Sequence, residues 1–149
     1  MIFKILILFI KLFIFFNRSA EKDTVVFIEM NDGTCLKNLQ VVVSAGSIPN
    51  FDEVLKTGTS TSFKITGELI PSPAEGQKIE MIVKTGVHKV EIIGSCDAKK
   101  YPMAKKSHTI EKLRENAHLR PRSNLIGCVA RIRNNLAYAT HIYFQTNGF

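Results

Sequence analysis

The sequence has few of the residues that build disulfide frameworks and zinc sites. Its three cysteines, Cys35, Cys96 and Cys128, lie far apart and form no C-x-x-C pair. Its four histidines are equally scattered, without metal-ligand spacing to one another or to a cysteine. These absences argue against a disulfide framework and against a zinc site. They indicate reduced thiols in a cytosolic or organellar protein.

Motifs for phosphate chemistry are also missing. The sequence contains no glycine-rich phosphate-binding loop and no pair of carboxylates in a plausible catalytic arrangement. Reactions at phosphate need cationic side chains and acidic metal ligands, because charge develops on the transferred groups. The sequence therefore predicts no catalytic residue, no metal site and no cofactor within this chain.

Acidic residues are scarce in the last third of the chain. From residue 99 onward the sequence has ten Lys and Arg but only two acidic residues, Glu111 and Glu115, and this block accounts for the whole net charge of +7. Concentrated positive charge attracts polyanions, and nucleic acid is the leading candidate. A solvated basic linker that pairs with an acidic surface on another domain would have the same composition, so charge alone leaves both interpretations open.

Residues 1–16 form a long apolar run, MIFKILILFIKLFIFF, which only Lys4 and Lys11 interrupt. As a helix it would be about 24 Å long, which is shorter than the ~30 Å hydrocarbon core of a bilayer. No small-residue cleavage pattern follows it. Three origins stay open: non-coding A/T-rich sequence read from a misplaced start, a genuine hydrophobic strand or anchor, and a signal peptide.

From residue 24 the sequence becomes regular. The segments 24–30 and 36–43 are rich in β-branched and apolar residues and flank the turn Asn31-Asp32-Gly33, so they predict a β-hairpin. Residues 50–56 predict one short helix with Asn50 as its N-cap.

Two further β segments follow. Residues 60–70 alternate as a half-buried strand, and residues 78–94 predict a long β stretch with Gly86 at a bulge or bend. Strand, strand, helix, strand, strand is the order of an OB-fold, a five-stranded Greek-key barrel, when one more strand precedes it. Only the unusual N-terminal segment can supply that first strand. Other small antiparallel barrels also fit the order.

The last third predicts a linker and two helices. Residues 97–107 are polar and basic, and residues 108–116 predict a short helix with Thr109 as N-cap. A long helix is predicted from Asn124 until Gly148 ends it. It carries one apolar stripe, formed by Leu125, Val129, Ile132, Leu136, Ala139 and Tyr143.

Several segments resemble asparaginyl-tRNA synthetases, which are class II enzymes of the aspartyl/asparaginyl subgroup. The resemblance covers residues 18–149, and its most specific block is LRENAHLRPRSN, because the aspartyl enzymes carry different residues there. That block lies in the matching segment YPMAKKSHTIEKLRENAHLRPRSN (101–124). The other matching segments are FIEMNDGTCLKNLQVVV (27–43), ITGELIPSP (65–73), GQKIEMIV (76–83) and GCVARIRNNLAYATHIYFQTNGF (127–149).

The resemblance implies a mainly β fold, an OB-fold barrel with a doubtful first strand, followed by a linker and a long C-terminal α-helix. The expected divisions are an apolar segment (1–17), an anticodon-binding OB-fold domain (18–96), a basic linker with a short helix (97–123), and the first-motif helix of a truncated class II catalytic domain (124–149).

The resemblance also implies an anticodon-binding site. Phe27 lies where the family stacks an aromatic ring on an anticodon base, and Gln40 where the family places a glutamine that bonds the central anticodon base. Glu80 lies at a strand position facing the third anticodon base, and Arg18 at the end of the first strand. The first three residues have alternative roles. Phe27 could be a core residue, and Gln40 and Glu80 could be solvent-facing strand residues.

Family members make asparaginyl-adenylate from asparagine and ATP with magnesium, transfer asparagine to tRNA-Asn, and form homodimers. The arginines and acidic residues of that chemistry lie in later motifs, so we expect no aminoacylation by this chain alone. The expected partners are the anticodon loop of tRNA-Asn, the catalytic domain and a second subunit in the parent enzyme, without a membrane. The expected location is the cytoplasm, with an organelle as the alternative. A free-standing OB-fold nucleic-acid-binding module without catalytic activity remains a second reading, and a membrane-anchored interaction protein a third.

Overall fold

The computed structural model describes residues 13–15, 25–103 and 108–149. The chain divides into two compact units, one up to residue 104 and the other from residue 105 onward. The first unit is mainly β and the second is helical. Arg18 and most of the apolar N-terminal segment lie outside the described residues. Within the described ranges, no helix is both long and apolar enough to cross a membrane.

The described strands of the first unit form two sheets. They are β1 (Phe13–Phe15), β2 (Val25–Met30), β3 (Leu39–Ser44), β4 (Ser62–Thr66), β5 (Glu68–Pro71), β6 (Ile79–Val83) and β7 (Lys89–Gly94). The larger sheet has the order β1-β2-β3-β6-β5, and the smaller sheet pairs β4 with β7. Only β3 and β6 run parallel among these pairs. The first strand, which was doubtful from the sequence, is β1, and it pairs with β2.

The hairpin predicted for residues 24–43 is confirmed, because β2 pairs with β3 along its whole length. The side chain of Asn31 organises the connecting loop. Its Oδ1 accepts a hydrogen bond from the Gly33 N–H at 2.7 Å, and its Nδ2 donates to the Lys37 carbonyl at 3.2 Å and to Asn38 Oδ1 at 3.0 Å. The turn signal in the sequence therefore acts through one asparagine side chain, as is common in turns.

The two β segments predicted for residues 60–70 and 78–94 are each divided in two. Gly67 separates β4 from β5, and residues 84–88 separate β6 from β7. Antiparallel pairing continues on both sides of the break, with Thr66 opposite Lys89 and Glu68 opposite Ile82. Gly86 lies in the interruption with φ +77°, a left-handed conformation that favours glycine. Two long bent strands therefore follow β1, β2 and β3, which gives the five strands of the predicted barrel.

The predicted short helix is present as α1 (Phe51–Leu55). Asn50 occupies the N-cap position without making a side-chain cap bond. Its Nδ2 instead donates to the Val90 carbonyl at 2.9 Å, which ties the start of α1 to β7. Phe51 and Val54 are buried in the hydrophobic core. The core also contains Val26, Ile28, Met30, Val41, Val43, Ile48, Phe63, Ile65, Met81, Val83 and Val90.

The second unit contains the two predicted helices, α2 (Ile110–Glu115) and α3 (Asn124–Thr146), with a 3-10 turn at Arg120–Arg122 between them. The hydroxyl of Thr109 accepts a hydrogen bond from the Lys112 N–H at 3.3 Å, so the predicted cap of α2 is confirmed. Ser123 caps α3 in the same way, through Ile126 N–H. The predicted apolar stripe of α3 is exposed, and Leu136 is 63% exposed.

Candidate nucleic-acid interface

One face of the larger sheet covers the hydrophobic core, and the opposite face, here called the outer face, does not. Side chains of a strand point alternately to the two faces of a sheet. In β2, the fully buried Val26 and Ile28 alternate with Val25, Phe27 and Glu29, which are half-buried. The outer face therefore presents the second set. In β3 the same alternation places Gln40 and Val42 on the outer face.

Strand register brings two of the predicted site residues, Gln40 and Glu80, together on this face. Gln40 of β3 lies opposite Glu29 of β2 on one side and Glu80 of β6 on the other. These three residues form a row across the sheet, here called the polar row. Since directly opposed residues in a ladder have side chains on the same face, Gln40 and Glu80 are neighbours.

A second row runs parallel to the polar row, at a distance of two residues on each strand. Phe27 lies opposite Val42, and Val42 lies opposite Ile82 of β6. Phe27 is half-buried and lies outside the hydrophobic core cluster. Its alternative role as a core residue is therefore wrong. An aromatic ring beside aliphatic side chains on the outer face offers an apolar surface of the kind on which bases stack.

The carboxylates at the two ends of the polar row are held by loop side chains. Glu29 Oε2 accepts a hydrogen bond from Asn38 Nδ2 at 3.0 Å. Glu80 Oε2 accepts from Ser72 Oγ at 3.0 Å and from Gln77 Nε2 at 3.1 Å. Glu80 is only 6% exposed, so it is not the solvent-facing residue of its alternative role. These bonds satisfy a carboxylate whose burial would otherwise be costly.

An ion pair lies at the edge of the outer face. Lys84 Nζ bonds the carboxylate of Glu68, which stands opposite Ile82 in the ladder. The hydrogen bond and the positive charge of Lys84 lower the pKa of Glu68 from its ordinary value. Both side chains keep substantial solvent exposure, so the pair belongs to the class of weak surface ion pairs.

In the Lys84→Gln variant, the free energy of unfolding is expected to fall less steeply than in the wild type as the pH is lowered. A carboxyl whose pKa is lowered on folding adds stability above its unfolded pKa, about 4.3 for glutamate, and loses it as pH falls through the folded value. Denaturant titrations between about pH 5 and pH 3 should therefore show a steeper loss of unfolding free energy in the wild type than in the variant. The difference should be small and should shrink in high salt. Parallel profiles at low salt would contradict the assignment.

Not every predicted site residue is accounted for on the outer face. Phe27, Gln40 and Glu80 lie there together, whereas Arg18 is outside the described residues. The sequence reasoning gave no role to Ser72 or Gln77, although both lie in segments that resemble the family, 65–73 and 76–83. A serine between two prolines and a glutamine three residues before Glu80 are the only signals that could have indicated them.

No three His, Cys, Asp or Glu side chains come together in a geometry suited to a metal ion within residues 13–15, 25–103 and 108–149. On β2, β3 and β6, the outer face presents hydrogen-bonding side chains and the aromatic ring of Phe27. Its chemistry is that of recognition: a stacking surface, an amide that both donates and accepts, and carboxylates that accept.

Comparison with known proteins gives a consistent result, although no protein-family model matches the chain. The chain is 44% identical over 134 residues to an asparagine–tRNA ligase of Treponema denticola, a match that covers 88% of the chain and 28% of the ligase. It is 47% identical over 134 residues to the asparagine–tRNA ligase of Yersinia pestis, with 89% of the chain and 28% of the ligase covered. The chain thus spans less than a third of the length of these relatives.

Two solved structures share the fold. Asparaginyl-tRNA synthetase from Pyrococcus horikoshii matches with a TM-score of 0.71 and 19% identity, covering 85% of this chain and 29% of that one. The Entamoeba histolytica enzyme in complex with asparaginyl-adenylate matches with a TM-score of 0.72 and 20% identity, covering 95% and 32%. The OB-fold with its C-terminal helix is thereby confirmed. The chain belongs to the asparaginyl-tRNA synthetase family and matches the N-terminal part of its members.

Proposed function

We propose that this chain is the anticodon-binding portion of an asparagine–tRNA ligase, the enzyme that attaches asparagine to tRNA-Asn at the expense of ATP. The observation that carries the proposal is the common location of Phe27, Gln40 and Glu80. Two adjacent rows of one open sheet face place a stacking ring, an amide and a carboxylate side by side. These are the groups that splayed, unstacked RNA bases bind.

Each side chain has a distinct task in this proposal. Phe27 stacks on one base, an interaction worth about 1–3 kcal/mol. The amide of Gln40 bonds the central anticodon base, since it can donate and accept at once. Glu80 accepts a hydrogen bond from the third base. Arg18 contributes a contact to a base or to the RNA backbone.

In this proposal the acidic outer face binds the bases, and the basic second unit attracts the RNA backbone. The outer face carries the carboxylates Glu29 and Glu80, which repel phosphate, so its contacts are to base edges and base faces. The second unit carries the positive charge that attracts the tRNA backbone, through Lys112, Arg114, Arg120, Arg122, Arg131 and Arg133.

The proposal extends to the parent enzyme. There, ATP and magnesium serve a class II catalytic domain, and the exposed stripe of α3 packs on that domain and on a second subunit of a homodimer. The OB-fold domain is residues 18–96, the linker is residues 97–123, and the first-motif helix begins at Asn124. We place the enzyme in the cytoplasm, with an organelle as the alternative, and we assign it no membrane partner.

Binding of this chain to tRNA-Asn tests the proposal, with an anticodon-swapped tRNA-Asn as the matched control and a salt series for each. The swapped tRNA should bind more weakly at every salt concentration, because the two molecules differ only in the bases that the outer face contacts. Equal binding that vanishes with salt would mean that the basic residues act alone. The alternative function, an OB-fold nucleic-acid-binding module without catalytic activity, would then replace the proposal.

A further inference from the structure

The loop between β6 and β7 is closed by a histidine side chain. His88 is only 7% exposed, and its Nδ1 accepts a hydrogen bond from the Lys84 N–H at 2.9 Å. The His88 N–H donates in return to the Lys84 carbonyl at 3.3 Å. The three residues between them, Thr85, Gly86 and Val87, are exposed. Two bonds between Lys84 and His88 therefore hold the base of this loop, and one of them depends on the imidazole.

The bond to Lys84 fixes the protonation of Nδ1. A ring nitrogen that accepts a hydrogen bond carries no proton, and a histidine with protons on both nitrogens is only a donor. A proton on Nδ1 of His88 would point at the Lys84 N–H, donor to donor. The ring would then have to turn away, and the Lys84 N–H would lose its partner. A lost hydrogen bond with repulsion between two donors shifts a local equilibrium by about tenfold.

Two charged side chains lie near the imidazole, and they act on it in opposite senses. The pKa of the Glu68 carboxyl, on β5, is lowered chiefly by its hydrogen bond to Lys84 and to a smaller extent by the charge of His88. The Glu68 carboxylate attracts a positive imidazolium, whereas the Lys84 ammonium, its ion-pair partner, repels one. Lys89, the next residue in the chain, is exposed to solvent. The two nearby charges therefore offset each other, and the bond to the Lys84 N–H decides whether the loop stays closed.

We propose that the loop Lys84–His88 is a proton-sensitive latch, which is closed while the His88 imidazole is neutral and opens when Nδ1 takes up a proton. Histidine is the side chain whose charge ordinarily changes between pH 5 and pH 8. The opening is local, because β6 remains paired with β5 and β7 with β4. The other histidines of the chain, His108, His118 and His141, follow in the second unit.

The latch adjoins the outer face through Lys84. The Lys84 ammonium bonds the carboxylate of Glu68, which stands opposite Ile82 of the second row. When the loop opens, the ammonium leaves Glu68, and the uncompensated carboxylate repels RNA phosphates. Acid should therefore weaken RNA binding through the latch, whereas the other histidines, on becoming positive, should strengthen it. This consequence rests on the proposed function, and the latch itself does not.

Amide hydrogen exchange of the full chain, followed by NMR at about pH 7.5 and about pH 5.5, tests the latch within the range where histidine changes charge. The readout is the protection of the Lys84 N–H, which is its exchange rate relative to an unstructured chain at the same pH. In the wild type this protection should fall about tenfold on acidification. Protection of the β2 and β3 amides should not change, which distinguishes local opening from acid unfolding.

Two substitutions separate the acceptor from the proton. His88→Asn supplies an amide oxygen as an acceptor that is not protonated in this range, so the Lys84 N–H should stay protected at both pH values. His88→Phe fills the space without an acceptor, so the Lys84 N–H should exchange freely at both. Unchanged protection in the wild type, or an equal fall in the wild type and His88→Asn, would overturn the latch. That comparison decides even if the phenylalanine variant does not fold.

Affinity for tRNA-Asn at the same two pH values tests the link to the outer face. The ratio of wild-type to His88→Asn affinity cancels the effect of the other three histidines, which both proteins share. The wild type should lose affinity several-fold relative to the variant on acidification. A constant ratio while the wild-type loop opens would overturn the link to RNA binding. Equal binding of tRNA-Asn and the anticodon-swapped tRNA by both proteins would instead overturn the proposed function.

Discussion

Phe27→Ala is expected to weaken binding of the chain to tRNA-Asn by roughly five- to 150-fold, which corresponds to the 1–3 kcal/mol that one stacked base contributes. The ring is half-buried, outside the hydrophobic core cluster, and lies beside Val42 on the outer face. Loss of the ring should therefore affect RNA binding more than the stability of the hydrophobic core. The measurement is a dissociation constant by fluorescence anisotropy at fixed salt, because nucleic-acid affinities depend steeply on ionic strength.

Two further substitutions at Phe27 separate stacking from apolar burial. Phe27→Tyr keeps a flat aromatic ring and should bind tRNA-Asn within a few-fold of the wild type. Phe27→Leu keeps apolar volume without a ring and should behave like the alanine variant. Affinity for the anticodon-swapped tRNA should change little in any of them, since that binding depends on charge. Equal affinity of the leucine and tyrosine variants for tRNA-Asn would show that Phe27 serves only as apolar surface.

The parts of the fold that could be predicted from the sequence are those with local causes. The β2–β3 hairpin follows from a turn tripeptide between two β-branched runs, and α2 follows from Thr109 three residues before the N–H that it caps. The long helix α3 follows from its apolar periodicity and its flanking residues. Each of these signals lies within a few residues of the structure that it specifies.

The parts that could not be predicted depend on residues far apart in the chain. Asn50 is of a residue type that commonly caps helices, but its side chain makes no cap bond. Its Nδ2 donates instead to the Val90 carbonyl, forty residues away. Residues 60–70 divide into two strands at Gly67, whose backbone lies against Met81 of β6. Sequence periodicity reports which face a residue occupies, and it contains no information about a partner on a distant strand.

The candidate site shows the same division. The resemblance to a family indicated roles for Phe27, Gln40 and Glu80. Strand alternation alone would have predicted only the side of the sheet on which each residue lies. The supporting residues Ser72 and Gln77 became visible only through their bonds to Glu80. Recognition sites are held by such supporting contacts, which single-sequence patterns do not report.

Gly67→Ala is expected to lower the free energy of unfolding by about 1–3 kcal/mol, the usual effect of overpacking a well-packed site. A Cβ at residue 67 would stand 2.5 Å from Met81 Cγ, 2.8 Å from Met81 Sδ and 3.0 Å from the Ile82 carbonyl oxygen. Replacing glycine by alanine restricts the unfolded chain, which by itself would stabilise the fold by about 0.4–1 kcal/mol. The clash is larger, because Met81 is fully buried and a backbone carbonyl cannot move aside.

A double-mutant cycle with Met81→Ala tests this cause directly, by denaturant unfolding of the four proteins. Removing the Met81 side chain takes away the two nearest atoms, so Gly67→Ala should cost about 1 kcal/mol less in that background than in the wild type. Additive effects would mean that the methionine does not oppose the new methyl group.

The same substitution also bears on the candidate site, because Met81 follows Glu80 in the sequence and β5 connects Gly67 to Ser72. A shift of β5 from β6 would separate the Glu80 carboxylate from its two donors, Ser72 and Gln77.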